Sequence, residues 1–261
     1  MGHFYEKTDE GILPRHFVPM ATRPDDLRPT RITDVKKWWG AGRNVLPSVT
    51  TIQNILAKPA LTNWLIDEHL KQAFDAKTQA ISEGDYISTV KKLARKEMDK
   101  APTAGSDIHK LLDDHCKGKL PTDHPMRQLC ESVNRLIAAK TKQREWQSEV
   151  NFVSNEGYGG QIDLCNPEWI IDYKTKQTAD KFKPKKMAFD NHVQQLSAYR
   201  KGIKNSGKNY WQPLARCANV YICLEDGQID FHEHSEQELD RGWNIFKHSL
   251  AIWQLQNGYK I

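Results

Sequence analysis

The sequence predicts an α/β protein: a mixed central sheet flanked by helices, preceded by a helical N-terminal region. Three observations predict it. Apolar residues recur at helical spacing through most of residues 60–145. From Trp146 the period shortens to strand-like alternation. A helical segment at 188–204 then separates those strands from a later apolar run, Val220-Tyr221-Ile222, so strands and helices alternate.

Composition bounds the problem before any motif is read. A chain of 261 residues, 38% hydrophobic and 27% charged, can bury a full core. It has no run of about 18 apolar residues, so no membrane span is expected. The start, MGHFYEKTDEGILPRHFVPM, lacks the basic-then-apolar pattern of an export signal, and a cytoplasmic protein is expected. The net charge of +5 is mild and names no partner by itself; the clustering of the lysines is more informative. The five cysteines (Cys116, Cys130, Cys165, Cys217, Cys223) are odd in number and form no C-x-x-C pair. That usage points to a reducing compartment, without a zinc knuckle or a disulfide framework.

Residues 1–35 are rich in Pro, Arg and turn formers and read, with the rest of 1–45, as an extended arm that packs over a core or orders on binding. Ser48 follows Pro47 and precedes Val49, Ile52, Ile55 and Leu56, so it is placed to cap a helix. A capped helix start offers free N–H groups to a phosphate, and Thr50 and Thr51 add hydroxyls. The plain alternative is a cap and a first turn. Residues 46–102 form the helical region. One helix is expected at 60–81, with Leu61, Trp64, Leu65, Leu70 and Phe74 as its stripe. A second is expected at 86–100, carrying Lys91, Lys92, Arg95, Lys96 and Lys100, with several of them on one helical side. Such a stripe serves phosphate binding or is a solvated face. Trp64, Tyr86 and Phe74 are candidate stacking platforms for bases, with core packing the plainer role for Phe74.

The third segment, 103–261, carries the sheet. Ser106 or Thr103 can cap a separate helix holding Ile108, Leu111 and Leu112 inside, with His109 beside that stripe. Another helix is expected at 123–145. A three-stranded antiparallel meander follows: the Glu149 strand, the Asp163 strand and the Asp172 strand. Lys181, Lys183, Lys185 and Lys186 crowd the next loop. The helix at 188–204 turns Val193, Leu196 and Ile203 inward, with Gln195 and Tyr199 four apart on one face. Strands at 217–224 and 228–232 and a closing amphipathic helix at 236–256 complete the chain.

The chemistry concentrates in GGQIDLCNPEWIIDYKTK, residues 159–176. Asp172 and Lys174 are two apart in a strand and project the same way. Asp163 meets them if the two strands pair as a hairpin. Two carboxylates with the Tyr173 carbonyl suit Mg²⁺ or Mn²⁺, which prefer oxygen ligands. A lysine beside them offsets their repulsion and can position a water or stabilise a pentavalent phosphate. The set suits phosphodiester hydrolysis. There is no G-x-S-x-G elbow and no Walker-type GxxxxGK[ST], which argues against acyl transfer and an ATP motor. The plain alternative for Asp163, Asp172 and Lys174 is an ion-paired surface hairpin.

Six short motifs stand in order over residues 46–200. They are L-P-S-V-T-T (Leu46 to Thr51), G-S-D-I-H (Gly105 to His109), the Glu149 strand, G-G-Q-I-D (Gly159 to Asp163), I-I-D-Y-K-T (Ile170 to Thr175) and Q-L-S-A-Y (Gln195 to Tyr199). Together they resemble the PD-(D/E)XK nuclease superfamily, in its RecB-like, phage-type exonuclease branch. They are also similar to exonucleases of the mitochondrial genome maintenance type. The proline of the family motif is absent, since Gln161-Ile162 precede Asp163.

The resemblance implies a restriction-endonuclease-like core over 103–261 and a metal-dependent DNA exonuclease. It implies that His109, Asp163, Asp172 and the Tyr173 carbonyl bind one or two Mg²⁺ or Mn²⁺ ions. Lys174 would orient the attacking water, Gln195 and Tyr199 would support the site or touch DNA, and Glu149 would be an outer ligand. Ser48, Thr50 and Thr51 would hold a backbone phosphate. The basic groups Lys91, Lys92, Arg95, Lys181, Lys183, Lys185 and Lys186 would guide a strand, with residues 46–102 as an arch. No iron–sulfur cluster is expected, because Cys217 and Cys223 do not make the four-cysteine pattern. The implied partners are linear DNA with free ends and a strand-annealing recombination protein, in a host cytoplasm if the chain is phage-encoded. The rival readings are a structure-selective or restriction-like endonuclease and a non-catalytic DNA-binding module. Against the second, an acidic cluster repels DNA unless a cation sits there.

Overall fold

The computed structural model describes residues 3–259, apart from 22, 24, 57, 58, 77–81, 180, 181, 183–189 and 205–214, and apart from the side chains of 59–61, 64, 74–76, 83, 95–106 and 190. The chain divides into two compact units, Met1–Ile55 with Leu111–Ile261, and Leu56–Lys110. The division differs from the expected one: the first 45 residues are part of the unit that carries the main sheet.

The N-terminal residues pack over the core as short regular elements and not as an extended chain. They form strands β1 (Phe4–Thr8), β2 (Gly11–Pro14), β3 (Phe17–Pro19) and β4 (Leu27–Pro29), helix α1 (Ile32–Gly40), strand β5 (Val45–Pro47) and the short helix α2 (Val49–Gln53). The order β2-β1-β5 makes one antiparallel sheet, and β3 and β4 pair separately. These strands are too short to show a period among so many prolines. Burial supplies what the pattern hides: Phe4 and Tyr5 are nearly inaccessible and belong to the core. Glu6, beside them, is buried but paired. Its carboxylate accepts from Arg43 Nε at 2.6 Å and from Arg15 Nε at 2.7 Å. Those two guanidiniums, Arg43 foremost, hold its pKa down at about 2.

Because the folded pKa lies below the unfolded one, this pairing stabilises the fold above the unfolded pKa of about 4.3 and is lost as pH falls toward 2. The Glu6→Gln variant is expected to flatten the pH dependence of the melting temperature across that acid window. A variant curve parallel to wild type between pH 5 and about 2 would remove Glu6 as the cause.

The second unit holds helix α3 (Pro59–Ala76) and most of helix α4 (Glu83–Cys116). The two helices expected at 86–100 and after Ser106 are one helix of 34 residues that runs through Pro102 and Gly105. An interior proline costs about 3 kcal/mol, and buried apolar residues on both sides of it offset that cost. Val90 and Ile108 lie about five turns apart, as do Ala94 and Leu112, and all four are buried. Tyr86, a candidate stacking platform, donates its hydroxyl to the Ala73 carbonyl at 2.7 Å and so ties α4 to α3. The side chains of Trp64 and Phe74 lie outside the described residues.

After helix α5 (Arg127–Thr141) the expected meander forms: β6 (Gln147–Ser154), β7 (Tyr158–Asn166) and β8 (Trp169–Lys176), each antiparallel to the next. Helix α6 (Asp190–Lys204) then crosses to β9 (Arg216–Cys223), which lies parallel to β8. Strand β10 (Ile229–His234) returns antiparallel to β9, and helix α7 (Glu236–Asn257) closes the chain. The sheet order is β10-β9-β8-β7-β6, a mixed sheet as expected. Val193, Leu196 and Ile203 of α6 are buried, again as expected, and join Leu239, Phe246 and Trp253 of α7 in one core with Ile170 and Cys217 of the sheet.

One aromatic ring sets the distance between α6 and the meander. A Cβ on Gly202 of α6 would collide with the Phe152 ring, and a Cβ on Gly160 of β7 would lie 2.7 Å from the same ring. Gly202→Ala is therefore expected to destabilise the fold by about 1–3 kcal/mol through overpacking. The check is a denaturant melt, and an unchanged midpoint would mean that Phe152 has room to move.

Candidate active site

The regular pairing of β7 fails on both of its sides at one level. On the β6 side, Ser148↔Leu164 and Val150↔Ile162 pair, and the ladder skips Glu149 and Asp163 between them. Glu149 has φ 53°, a left-handed conformation that a side-chain-bearing residue adopts at a cost of about 1–3 kcal/mol. The inward alternation breaks there too. Ile162 joins the core under α6, while Leu164, two residues on, lines a cavity with Ile137 and Ala138 of α5. On the β8 side, the ladder runs from Asn166↔Trp169 to Leu164↔Ile171 and stops one residue before Asp163 and Asp172. There the Asp163 carboxylate takes over: its Oδ2 accepts from the Tyr173 N–H at 2.7 Å. The register thus brings Glu149, Asp163 and Asp172 to one level across three strands. Asn219 of β9 continues the row opposite Asp172.

Asp172 is 2% exposed. Its Oδ2 receives two donors, Lys174 Nζ at 2.6 Å and Asn219 Nδ2 at 2.7 Å. Lys174 also donates to Gln195 Oε1 at 3.0 Å, and Gln195 Nε2 donates to the Tyr199 hydroxyl at 2.7 Å. On the other flank, Asn219 Oδ1 lies 2.7 Å from His234 Nε2. Asn219 has spent its amide hydrogens on Asp172, so His234 carries its proton on Nε2 and donates it. The result is one chain of contacts, His234–Asn219–Asp172–Lys174–Gln195–Tyr199. Burial, then Asp172 and Asp163, push the Tyr199 phenol well above its ordinary pKa, so it stays protonated and neutral.

Tyr5 of β1 packs against β7 at Gly159, four residues before Asp163. A Cβ on Gly159 would meet its ring, and an isolated bridge joins Ser48 to Gly159. Burial, then Glu149 and Asp163, raise the Tyr5 phenol above its usual range. The residues at this level offer hard oxygens, the carboxylates of Glu149, Asp163 and Asp172 and the Tyr173 carbonyl, although the three carboxylates do not lie within 4.8 Å of one another. By their chemistry they fit Mg²⁺ or Mn²⁺.

Comparison with known proteins adds little weight. No family model matches the chain, and no curated protein matches it. Among solved structures, a "Putative exonuclease" from Eubacterium rectale is 12% identical, over 60% of this chain and 69% of that one, with a TM-score of 0.42. An alkaline exonuclease from Laribacter hongkongensis is 13% identical, over 59% and 81%, with a TM-score of 0.34. The same enzyme in complex with dAMP is 14% identical, over 72% and 88%, with a TM-score of 0.31. Similarity this low carries no assignment, and the function rests on the site's own geometry.

The structure brings Glu149, Asp163, Asp172, Tyr173, Lys174, Gln195 and Tyr199 into one neighbourhood. His109 is half-buried on the part of α4 that belongs to the second unit. Ser48 does cap α2: its Oγ accepts from the Thr51 N–H at 3.0 Å. Thr51 Oγ1 is engaged with the backbone of His3, and Thr50 is exposed. Lys91 and Lys92 are exposed on α4. The side chain of Arg95 lies outside the described residues, as do Lys181, Lys183, Lys185 and Lys186. All five cysteines are free thiols, four of them buried.

Sequence reading missed Asn219, His234 and Tyr5. Asn219 did leave a signal: it is a lone amide inside the apolar run Cys217-Ala218-Asn219-Val220-Tyr221, and a buried amide needs partners. Tyr5 left none, because its strand was hidden in the supposed arm.

Proposed function

We propose that this chain is a metal-dependent DNA exonuclease that hydrolyses phosphodiester bonds. The observation that carries the proposal is the placement of Lys174, held at 2.6 Å from Asp172 and 3.0 Å from Gln195 at the level of Asp163. Asp163, Asp172 and the Tyr173 carbonyl would hold Mg²⁺ or Mn²⁺, with Glu149 as an outer ligand; His109 is assigned as a further ligand on the motif resemblance alone. A bound divalent ion makes hydroxide available near neutral pH and offsets charge on the phosphate.

The chain's own groups do the rest. An ammonium has three donors, and Asp172 and Gln195 take two of them. The third is left for the attacking water or a phosphate oxygen. Gln195 fixes the direction of that donor, and neutral Tyr199 fixes Gln195. Asn219 holds Asp172 Oδ2 from the far side, so the carboxylate cannot swing away from Lys174. Ser48, Thr50 and Thr51 are assigned to a backbone phosphate. Lys91, Lys92, Arg95, Lys181, Lys183, Lys185 and Lys186 are assigned to guiding the strand, with residues 46–102 as the arch on the motif resemblance alone. A phage-encoded role in recombination, repair or degradation, beside a strand-annealing protein, rests on the motif resemblance alone.

The test is a time course on 5′- and 3′-labelled single- and double-stranded oligonucleotides with Mg²⁺ or Mn²⁺, against an EDTA control. Progressive, EDTA-sensitive shortening from an end supports the proposal. Cutting of closed circles would convert it to an endonuclease. DNA binding without any cleavage would leave the non-catalytic module.

A further inference from the structure

A second cluster of ligand atoms lies at the far end of the polar chain. His232 and His234 stand two apart on β10, and Glu238 is in the first turn of α7. Their ligand atoms lie within 4.8 Å of one another. Two ring nitrogens there are buried without a hydrogen-bond partner, His232 Nε2 and His234 Nδ1. Leaving such atoms bare costs about 1–3 kcal/mol each, so two in one cluster require an explanation.

The tautomer of His234 supplies an independent pointer. Its Nε2–H is committed to Asn219 Oδ1 at 2.7 Å, which leaves a lone pair on Nδ1. His234 is 5% exposed, so water does not satisfy that lone pair in bulk fashion. Burial, then His232, lower its pKa to about 4, so the imidazole is neutral at physiological pH. Metal-bound histidines commonly donate their other N–H to an oxygen acceptor, which is the arrangement seen here. Glu238 is oriented as well: its Oε2 accepts from the Ser235 N–H and hydroxyl, both at 2.8 Å.

We infer that His232, His234 and Glu238 form a binding site for a borderline transition-metal ion of the Zn²⁺ class, distinct from the carboxylate row. Two imidazoles and one carboxylate are a common three-ligand set for Zn²⁺ and leave a fourth position to water. They suit Mg²⁺ poorly, because Mg²⁺ prefers oxygen throughout. Small side-chain movements bring atoms within 4.8 Å of one another into the roughly 2.0–2.2 Å shell of one ion. An ion there would pin His234, and through Asn219 it would fix Asp172.

The experiment is a Zn²⁺ titration of the EDTA-stripped, dialysed full chain against a chromogenic chelator, with Co²⁺ absorption as a second readout. Wild type is expected to take one tightly bound equivalent, and so is the Asp163→Asn/Asp172→Asn double variant. His232→Ala is expected to weaken that equivalent more than about 100-fold, beyond what outer partners contribute. Glu238→Gln guards against misfolding, because glutamine at this position preserves the capping box with Ser235. It is expected to weaken binding and to shift the Co²⁺ bands while the far-UV spectrum stays unchanged. No bound equivalent in wild type would overturn the inference. So would an equivalent that survives both His232→Ala and Glu238→Gln, or one lost with Asp163 and Asp172.

Discussion

Lys174→Ala is expected to lower the rate of cleavage by about 10²–10³-fold or more, the range for losing one preorganised donor. DNA affinity is expected to stay near wild type. Binding is carried by many phosphate contacts, and one ammonium at the reacting centre contributes little to their sum. Lys174 sits between Asp172 and Gln195, and its side chain keeps 22% of its surface accessible. Truncation therefore also removes a partner from a buried carboxylate, and some loss of stability accompanies the loss of rate. A thermal melt separates the two: the rate effect must persist at temperatures where the variant is fully folded. Single-turnover cleavage at the wild-type rate would show that another group positions the water.

Asp172→Asn is expected to abolish cleavage, to the level of EDTA-treated wild type, while keeping the fold. The geometry is favourable for this comparison. Both donors to Asp172, Lys174 Nζ and Asn219 Nδ2, converge on the same oxygen, Oδ2. An asparagine with its oxygen in that place keeps both hydrogen bonds and puts its amide at the other position. What it loses is the charge, which a hard divalent cation requires of its ligands. Lys174 also loses its counter-charge. The measurement is cleavage across a Mg²⁺ and Mn²⁺ series, with the melting temperature as control. Activity restored by raising the metal concentration would show that Asp172 tunes affinity only. Wild-type activity at low metal would remove it from the site.

The sequence was most legible where local pattern and burial agree. The meander from Gln147 to Lys176, the α6 helix with Gln195 and Tyr199, and the closing helix follow from period and turn residues. Each needs only neighbours along the chain. The Asp172–Lys174 contact was legible for the same reason, since strand geometry puts residues two apart on one face. The N-terminal strands were not legible. They are three to five residues long, and their burial comes from distant partners such as the Arg43 that holds Glu6. Helix α4 misled in the opposite direction. Pro102 and Gly105 are breakers by local rule, yet the helix continues through them, with buried apolar residues on either side.

By itself, then, the sequence determined the α/β class, the order of the core elements and the spacing that puts Asp172 beside Lys174. Only the tertiary structure decided the rest of the site. The paired breaks in the β7 ladders, the left-handed Glu149, the Asn219 that holds Asp172 and the His234 that holds Asn219 all depend on how the strands pair, and Asn219 reaches Asp172 from a strand that is not its neighbour in sequence. Periodicity encodes which face a residue takes and is silent on which strand lies next to which. A buried carboxylate must find its donors across that gap, and the parallel register of β8 with β9 supplies one of them.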